Sequence, residues 1–213
     1  MRPLYERRSK AIAQIPHFWP LVLEQAPPDL DEYIQPLDSS LLLGSLTSLT
    51  VTRFEIAEGN VVGTAGDPRS LAIRFEFAEN EYFENRVLEK RFWHRRRAAD
   101  GWSGLVSEPV DIRWREGKDL TNGLLGLVKR VWDGERRRER EGEAEPTELT
   151  AEQRALKERI DGVGLGGLSF FAWFGFRGPN VPIGPDLAGE AEKKEEEEEE
   201  GMCRSAGLRE QER

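Results

Sequence analysis

The chain has one cysteine, Cys203, and two histidines, His17 and His94, in 213 residues. A single thiol excludes an intrachain disulfide framework and fits a reducing compartment. So few histidines and cysteines leave no zinc ligand set, and no Cys–His or Ser–His–Asp constellation at a usable spacing. Net positive charge is also missing. The formal charge is -9 and the sequence pI about 5.0, which disfavours sequence-specific nucleic acid as a partner and suits a basic one. No run approaches the roughly 18 apolar residues of a membrane helix, and MRPLYERRSK holds no apolar signal block. A nuclear or cytosolic protein with no membrane partner is expected. Gly162, Gly164 and Gly167 formally satisfy G-x-G-x-x-G. A charged segment precedes them and an aromatic block follows, so they read as a flexible linker rather than a dinucleotide site. Carboxylates abound, but no pair sits in a pocket-forming apolar context. The expectation is a non-catalytic protein without cofactor or metal.

What is present begins with Leu71–Phe92, LAIRFEFAENEYFENRVLEKRF. Leu71, Ile73, Phe75 and Phe77 alternate with Ala72, Arg74, Glu76 and Ala78, the period of a half-buried strand. The link that follows sets Glu79, Glu81 and Glu84 around Tyr82 and Phe83. Aromatic anchors inside an acidic turn suggest a rigid surface offered to a basic partner. Val87–Arg95 returns as a second strand.

Elsewhere the pattern predicts a helix over residues 4–15, with Pro16 opening another at its first position and Pro27-Pro28 stopping it. A short helix follows at 29–34. Thr47–Ile56 reads as a first strand. Gly101 and Gly104 mark a turn, and Val110, Ile112 and Trp114 alternate as a fourth strand, completing an antiparallel meander. Arg95, Arg96 and Arg97 read as a solvated strand end, with phosphate contact the alternative. Gly134–Ile160 is charge-rich, basic over Arg136–Arg140 and acidic over Glu141–Glu148, and reads as an exposed insert or solvated helix. Ser169–Phe176, SFFAWFGF, is the most aromatic window and reads as core. Residues 192–200 hold seven Glu and two Lys, a net of -5.

Four blocks in shared order resemble the nucleosome assembly protein (NAP) family of histone chaperones. They are Ile15-Pro16-His17-Phe18-Trp19, the signature Phe75, Phe77, Asn80, Tyr82, Phe83, Asn85, Val87, Leu88, then Ile112-Arg113-Trp114 with Gly117-Lys118-Asp119-Leu120-Thr121, and Ser169–Phe174. RPLYERRSKAIAQIPHFWPLVLEQ, SEPVDIRW and FAWFGFRG look like a fungal member of the SET-like branch. The resemblance covers roughly residues 2–178, interrupted at 134–166.

The resemblance implies an α+β earmuff domain: a four-stranded antiparallel sheet packed on helices, with a disordered acidic tail. Its expected organisation is an N-terminal helical segment at 1–27, the earmuff at 28–133 and 167–186, a charged, Gly-rich insert at 134–166, and the tail at 187–213. It implies binding to histones H3–H4 in the nucleus, with a possible cytoplasmic pool, and stimulation of a fungal histone acetyltransferase. An alternative is a scaffold subunit of an acetyltransferase complex with little deposition activity of its own. Candidate histone-binding residues are Glu79, Glu81, Glu84, Asp119, Asp186, Glu190, Glu192, Glu195, Glu196, Glu197, Glu198, Glu199 and Glu200. Candidate core residues are Trp19, Phe75, Phe77, Tyr82, Phe83, Trp114, Phe170 and Trp173. Family members dimerise through a long N-terminal helix and close the domain with a further C-terminal helix. This chain is expected to lack most of both, and so to be a monomer or weak dimer.

Overall fold

Four helices precede the sheet: α1 (Arg2–Ile12), α2 (Phe18–Glu24), α3 (Pro28–Asp31) and α4 (Pro36–Ser45). In this computed structural model the described residues are 2–56, 66–97, 100–143, 146, 148–163 and 168–179. Pro16 does not open a helix. It lies in a turn that ends at His17, whose φ is 54°, and α2 starts one residue later with Pro20 in its first turn. That turn's N–H groups have no intrahelical partner, so a proline there costs little. In α4 the sequence LLL turns its first two leucines inward, and Leu41 and Leu42 are buried. Pro36 occupies the first position, and Asp38 reaches back to accept from the Gln35 N–H at 3.0 Å, a reverse cap.

The sheet is an antiparallel meander in the order β1 (Leu46–Thr52), β2 (Leu71–Phe77), β3 (Val87–Arg97), β4 (Trp102–Ser107). Its register sets Phe75 opposite both Leu49 and Leu88, and Phe92 opposite Leu71 and Ser107. A period of two then puts Leu49, Phe75, Phe77, Leu88 and Phe92 on one face. β1 stops before Phe54, which leaves the strand and packs edge-on against Trp93 at 5.7 Å.

The fourth strand is not 110–114. Within that stretch Trp114 makes a single bridge to Phe83, and the Val110 N–H bonds to the Phe174 carbonyl at 3.0 Å. The strand is Trp102–Ser107 instead. Gly104, read as a turn residue, lies inside it. A Cβ there would sit 2.6 Å from the Trp102 ring, so the glycine makes room for the indole.

Residues 134–160, read as an exposed insert or a solvated helix, are largely helical. α5 (Leu124–Glu141) and α6 (Ala151–Val163) form an antiparallel pair, held by Gln153 Nε2 to Glu135 at 2.9 Å and Arg159 to the Asn122 carbonyl at 3.0 Å. Gly162 lies within α6, not in a linker; Gly164 and Gly167 fall outside the described residues. A 3-10 helix, Phe170–Gly175, then crosses the inner face of the sheet. Its Phe171 and Phe174 are completely buried. Phe174 meets Phe75 at 5.6 Å, and Phe171 meets Phe83 at 5.7 Å. Such edge-to-face pairs contribute about 0.5–1.5 kcal/mol each beyond area burial. Phe77 and Phe83 are also buried, while Trp19, Tyr82, Trp114, Phe170 and Trp173 are half-buried against the same core. Gly178, at φ 76°, follows the 3-10 helix; a Cβ there would lie 2.7 Å from the Leu105 carbonyl oxygen, so only glycine lets the chain lie so close to β4.

Candidate functional site

The acidic turn between β2 and β3 owes its shape to its asparagines. Asn80 Oδ1 accepts from the Tyr82 and Phe83 N–H groups at 2.9 and 3.0 Å, folding the chain back on itself. Asn85 Oδ1 accepts from the Arg113 N–H at 2.8 Å. The Glu84 N–H donates to the Arg113 carbonyl, and the Arg115 N–H to the Tyr82 carbonyl. Tyr82–Glu84 is thereby stitched to Arg113–Arg115, and Phe83 is driven inward against Trp114 at 5.6 Å. Three side chains of the signature build the turn: two asparagines supply acceptors where the ladder ends, and Phe83 anchors the turn in the core.

The glutamates face solvent on this fixed frame, and each meets a cation of the same domain. Glu79 lies 3.2 Å from Arg86, Glu81 2.6 Å from Lys118, and Glu84 3.7 Å from Arg113, all exposed. The Glu81 carboxylate raises the Lys118 pKa above its ordinary value, and the Lys118 ammonium also sits 5.4 Å from the centre of the Tyr82 ring. Exposed pairs of this kind contribute little to stability, so an incoming lysine or arginine can exchange with them. Asp119 is employed differently. Its Oδ1 accepts from the Thr121 N–H and hydroxyl, and its Oδ2 from the Gly123 N–H, all within 2.8 Å. That carboxylate shapes the entry to α5. Asp186, Glu190, Glu192 and Glu195–Glu200 lie outside the described residues. The sequence reading missed Arg113 and Lys118 as counter-ions because the Phe83–Trp114 bridge that brings them in joins distant segments, and it missed Arg86, in the same turn as Glu79, because only the fold of the turn pairs them.

A second polar cluster lies at the other end of β3. Arg95 is buried rather than solvated, and grips Glu55 at 2.6 and 3.0 Å. Burial alone would raise the Glu55 pKa, but hydrogen bonds from Arg95 and Ser70 hold it below its ordinary value. Arg97 pairs with Asp100 at 2.6 Å, and Arg96 is exposed. Ser103 Oγ stands 3.3 Å from His94 Nε2, whose Nδ1 is 3.1 Å from Asp67 Oδ2, in the order of a catalytic triad. The sheet register brings them together, since His94 lies opposite Leu105, two residues from Ser103. The Asp67–His94 approach lacks hydrogen-bond geometry. Asp67 is instead committed to Arg69 at 2.6 and 2.9 Å, which holds its carboxyl well below the usual range. The cluster is a clasp across the strands, not an activated nucleophile.

A third element is Lys90, buried on the inner face of β3. Its Nζ donates to the carbonyls of Glu108, Phe174 and Phe176 at 2.6, 2.9 and 2.5 Å. It ties the sheet to the C-terminal end of the aromatic block and to the segment after β4. Burial pushes its pKa down to about 7, and the Glu108 carboxylate offsets part of that.

A meander capped by an aromatic 3-10 helix, with an asparagine-built acidic turn, defines a scaffold that presents a charged surface. The chain matches the nucleosome assembly protein (NAP) model over residues 3–208 and belongs to that family. It is 35% identical over 128 residues to a putative nucleosome assembly protein of Schizosaccharomyces pombe, covering 56% of this chain and 48% of that protein. It is 35% identical over 130 residues to protein SET of Drosophila melanogaster, covering 58% and 42%. It is 29% identical over 140 residues to vacuolar protein sorting-associated protein 75 of Saccharomyces cerevisiae, covering 64% and 50%. The chain spans about half the length of these relatives or less. Among solved structures, the Vps75 histone chaperone superposes with a TM-score of 0.53 at 22% identity, over 90% of this chain and 75% of the other. Ccp1 gives 0.50 at 24% identity, over 89% and 73%. Both share the α+β fold.

Proposed function

We propose that the chain is a histone chaperone that binds H3–H4 in the nucleus, shields their charge from DNA, and stimulates a histone H3 acetyltransferase without catalysing a reaction itself. One observation carries this reading. Glu79, Glu81 and Glu84 stand exposed on a turn fixed by Asn80 and Asn85, each held by a surface cation that a histone lysine or arginine can replace. Family membership supports it. So does the charge beyond Pro185, where eleven acidic residues face five basic ones. Binding exchanges one set of charge pairs for another, so it steers encounter and fixes register more than it adds net affinity. Screening at a Debye length of about 8 Å in physiological salt makes it strongly salt-dependent.

Titrating H3–H4 into the chain at 0.1 and 0.5 M salt tests the reading. Affinity should fall at least tenfold at the higher salt, and should fall at 0.1 M when Glu79, Glu81 and Glu84 are all changed to Gln. Absence of binding at 0.1 M, or binding indifferent to salt, overturns it.

A further inference from the structure

Of the three cations that hold the glutamates of the turn, Lys118 differs from the other two. Among the described residues the side chains of Arg86 and Arg113 meet only a carboxylate. Lys118 meets two partners at once: its Nζ lies 2.6 Å from Glu81 Oε2 and 5.4 Å from the centre of the Tyr82 ring. A carboxylate beside the face of an aromatic ring is a receptor for an ammonium group, because both attract the same cation.

Tyr82 is placed for that use. The adjacent Phe83 packs ring against ring with Phe77, Trp114 and Phe171. Tyr82 makes no ring pair among the described residues and stays half-buried at the edge of the core. Both of its backbone groups are fixed: the N–H donates to Asn80 Oδ1 at 2.9 Å, and the carbonyl accepts from the Arg115 N–H at 2.7 Å. The ring does not depend on Lys118 for its place.

Lys118 is held at its backbone and loose at its head. Its N–H donates to the Arg115 carbonyl at 3.0 Å, in a turn through Gly117 at φ 69°. Its side chain is 42% exposed and that of Glu81 66%. The ammonium therefore leaves by side-chain rotation, a fast motion for an exposed residue, with the turn undisturbed. Exposed pairs of this kind are weak, so the occupant is replaceable.

We infer that Tyr82 and Glu81 form a binding site for a lysine ammonium of a basic partner, and that Lys118 fills this site in the free chain as an internal competitor. That the partner is a histone rests on the reading above. An incoming lysine gains the ring and the carboxylate only after Lys118 has given them up, so apparent affinity is lowered by the fraction of time that Lys118 fills the site. The same exchange masks Tyr82 in a simple substitution, since loss of the ring weakens the resident and the incoming lysine alike. The full contribution of the ring emerges once Lys118 is removed.

Nuclear magnetic resonance on the full chain tests the site. The Tyr82 ring current should shift the Lys118 εCH2 signal upfield, and Tyr82→Leu should return it to its usual position. Octalysine is then titrated at 0.1 M salt and read at the amides of residues 81 and 82, so that binding elsewhere on the acidic chain does not enter. In the unchanged chain octalysine should release the Lys118 signal from its upfield position. Lys118→Met should lower the octalysine midpoint about two- to fivefold, the factor for an exposed cation–π contact. Lys129→Met removes the same charge from the Asp133 pair on α5 and should leave the midpoint where it was. Tyr82→Leu should cost more with Lys118→Met than without it. Glu81→Gln should do the same, and leaves the half-buried ring untouched. A Lys118 signal indifferent to Tyr82→Leu, one that octalysine leaves in place, or equal effects of Lys118→Met and Lys129→Met overturns the site. No histone is present, so each of these failures leaves the chaperone reading standing. A chain that behaves as expected with octalysine but binds no H3–H4 sinks only that reading.

Discussion

Asp38 and Ser169 are 131 positions apart and meet at 2.6 Å in the interior, the serine hydroxyl donating to the carboxylate. The second carboxylate oxygen accepts from the Phe170 N–H at 2.7 Å. One fully buried side chain thus opens α4 and fixes the start of the aromatic 3-10 helix. Asp38→Ala should destabilise the fold by about 2–4 kcal/mol, because two N–H groups and a hydroxyl lose their acceptor. Urea denaturation checks this; a shift of the midpoint within error would contradict the clasp.

Phe75 sits at the centre of the sheet, with Phe170, Trp173 and Phe174 within 6.2 Å of its ring centre. Phe75→Ala should cost about 3–5 kcal/mol. Glu81→Gln, on the exposed turn, should leave the melting temperature nearly unchanged while weakening histone binding. Comparable losses of stability in both variants would mean that the turn serves the fold rather than a partner.

Lys90 gives a pH signature. Its pKa is about 7 in the fold, below the ordinary 10.5. Between those values the unfolded chain keeps the proton that the folded chain releases, so stability rises with pH across that window. Below pH 7 both states are protonated, and the cost of the buried charge is constant. Lys90→Met should remove this rise, on the order of a few kcal/mol, while leaving three carbonyls without a donor. Chemical denaturation at pH 6.5, 8 and 9.5 reads the slope; a slope that persists in the variant assigns it to another group.

The legible part of the fold was β2, β3 and the aromatic block, where alternation and residue type agree. β4 was hidden because its glycine accommodates Trp102 in space, a reason invisible to periodicity. The run 110–114 alternates like a strand because one side faces the core, yet its N–H and C=O groups pair with Phe83, Phe174 and the turn rather than with a ladder. α4 was missed because proline and serines flank its leucines. The start of α5 went unread and the rest, from Gly134 on, read as an exposed insert or solvated helix, because the buried Leu124, Leu125 and Val131 all precede the charged stretch. At the site, the glutamates were evident in the sequence. Their counter-ions, and the employment of Asp119 at the entry to α5, came only from the fold.

The central claim is that the chain keeps histone charge away from DNA. Mixing H3–H4 with excess DNA at 0.1 M salt gives non-specific aggregates, and adding the chain tests the claim directly by native gel and sedimentation. The account predicts that free DNA returns as the chain is added, in proportion to soluble chain–histone complex, and that the Glu79, Glu81 and Glu84 to Gln variant needs a several-fold higher concentration. Aggregates that persist unchanged at saturating chain would contradict it.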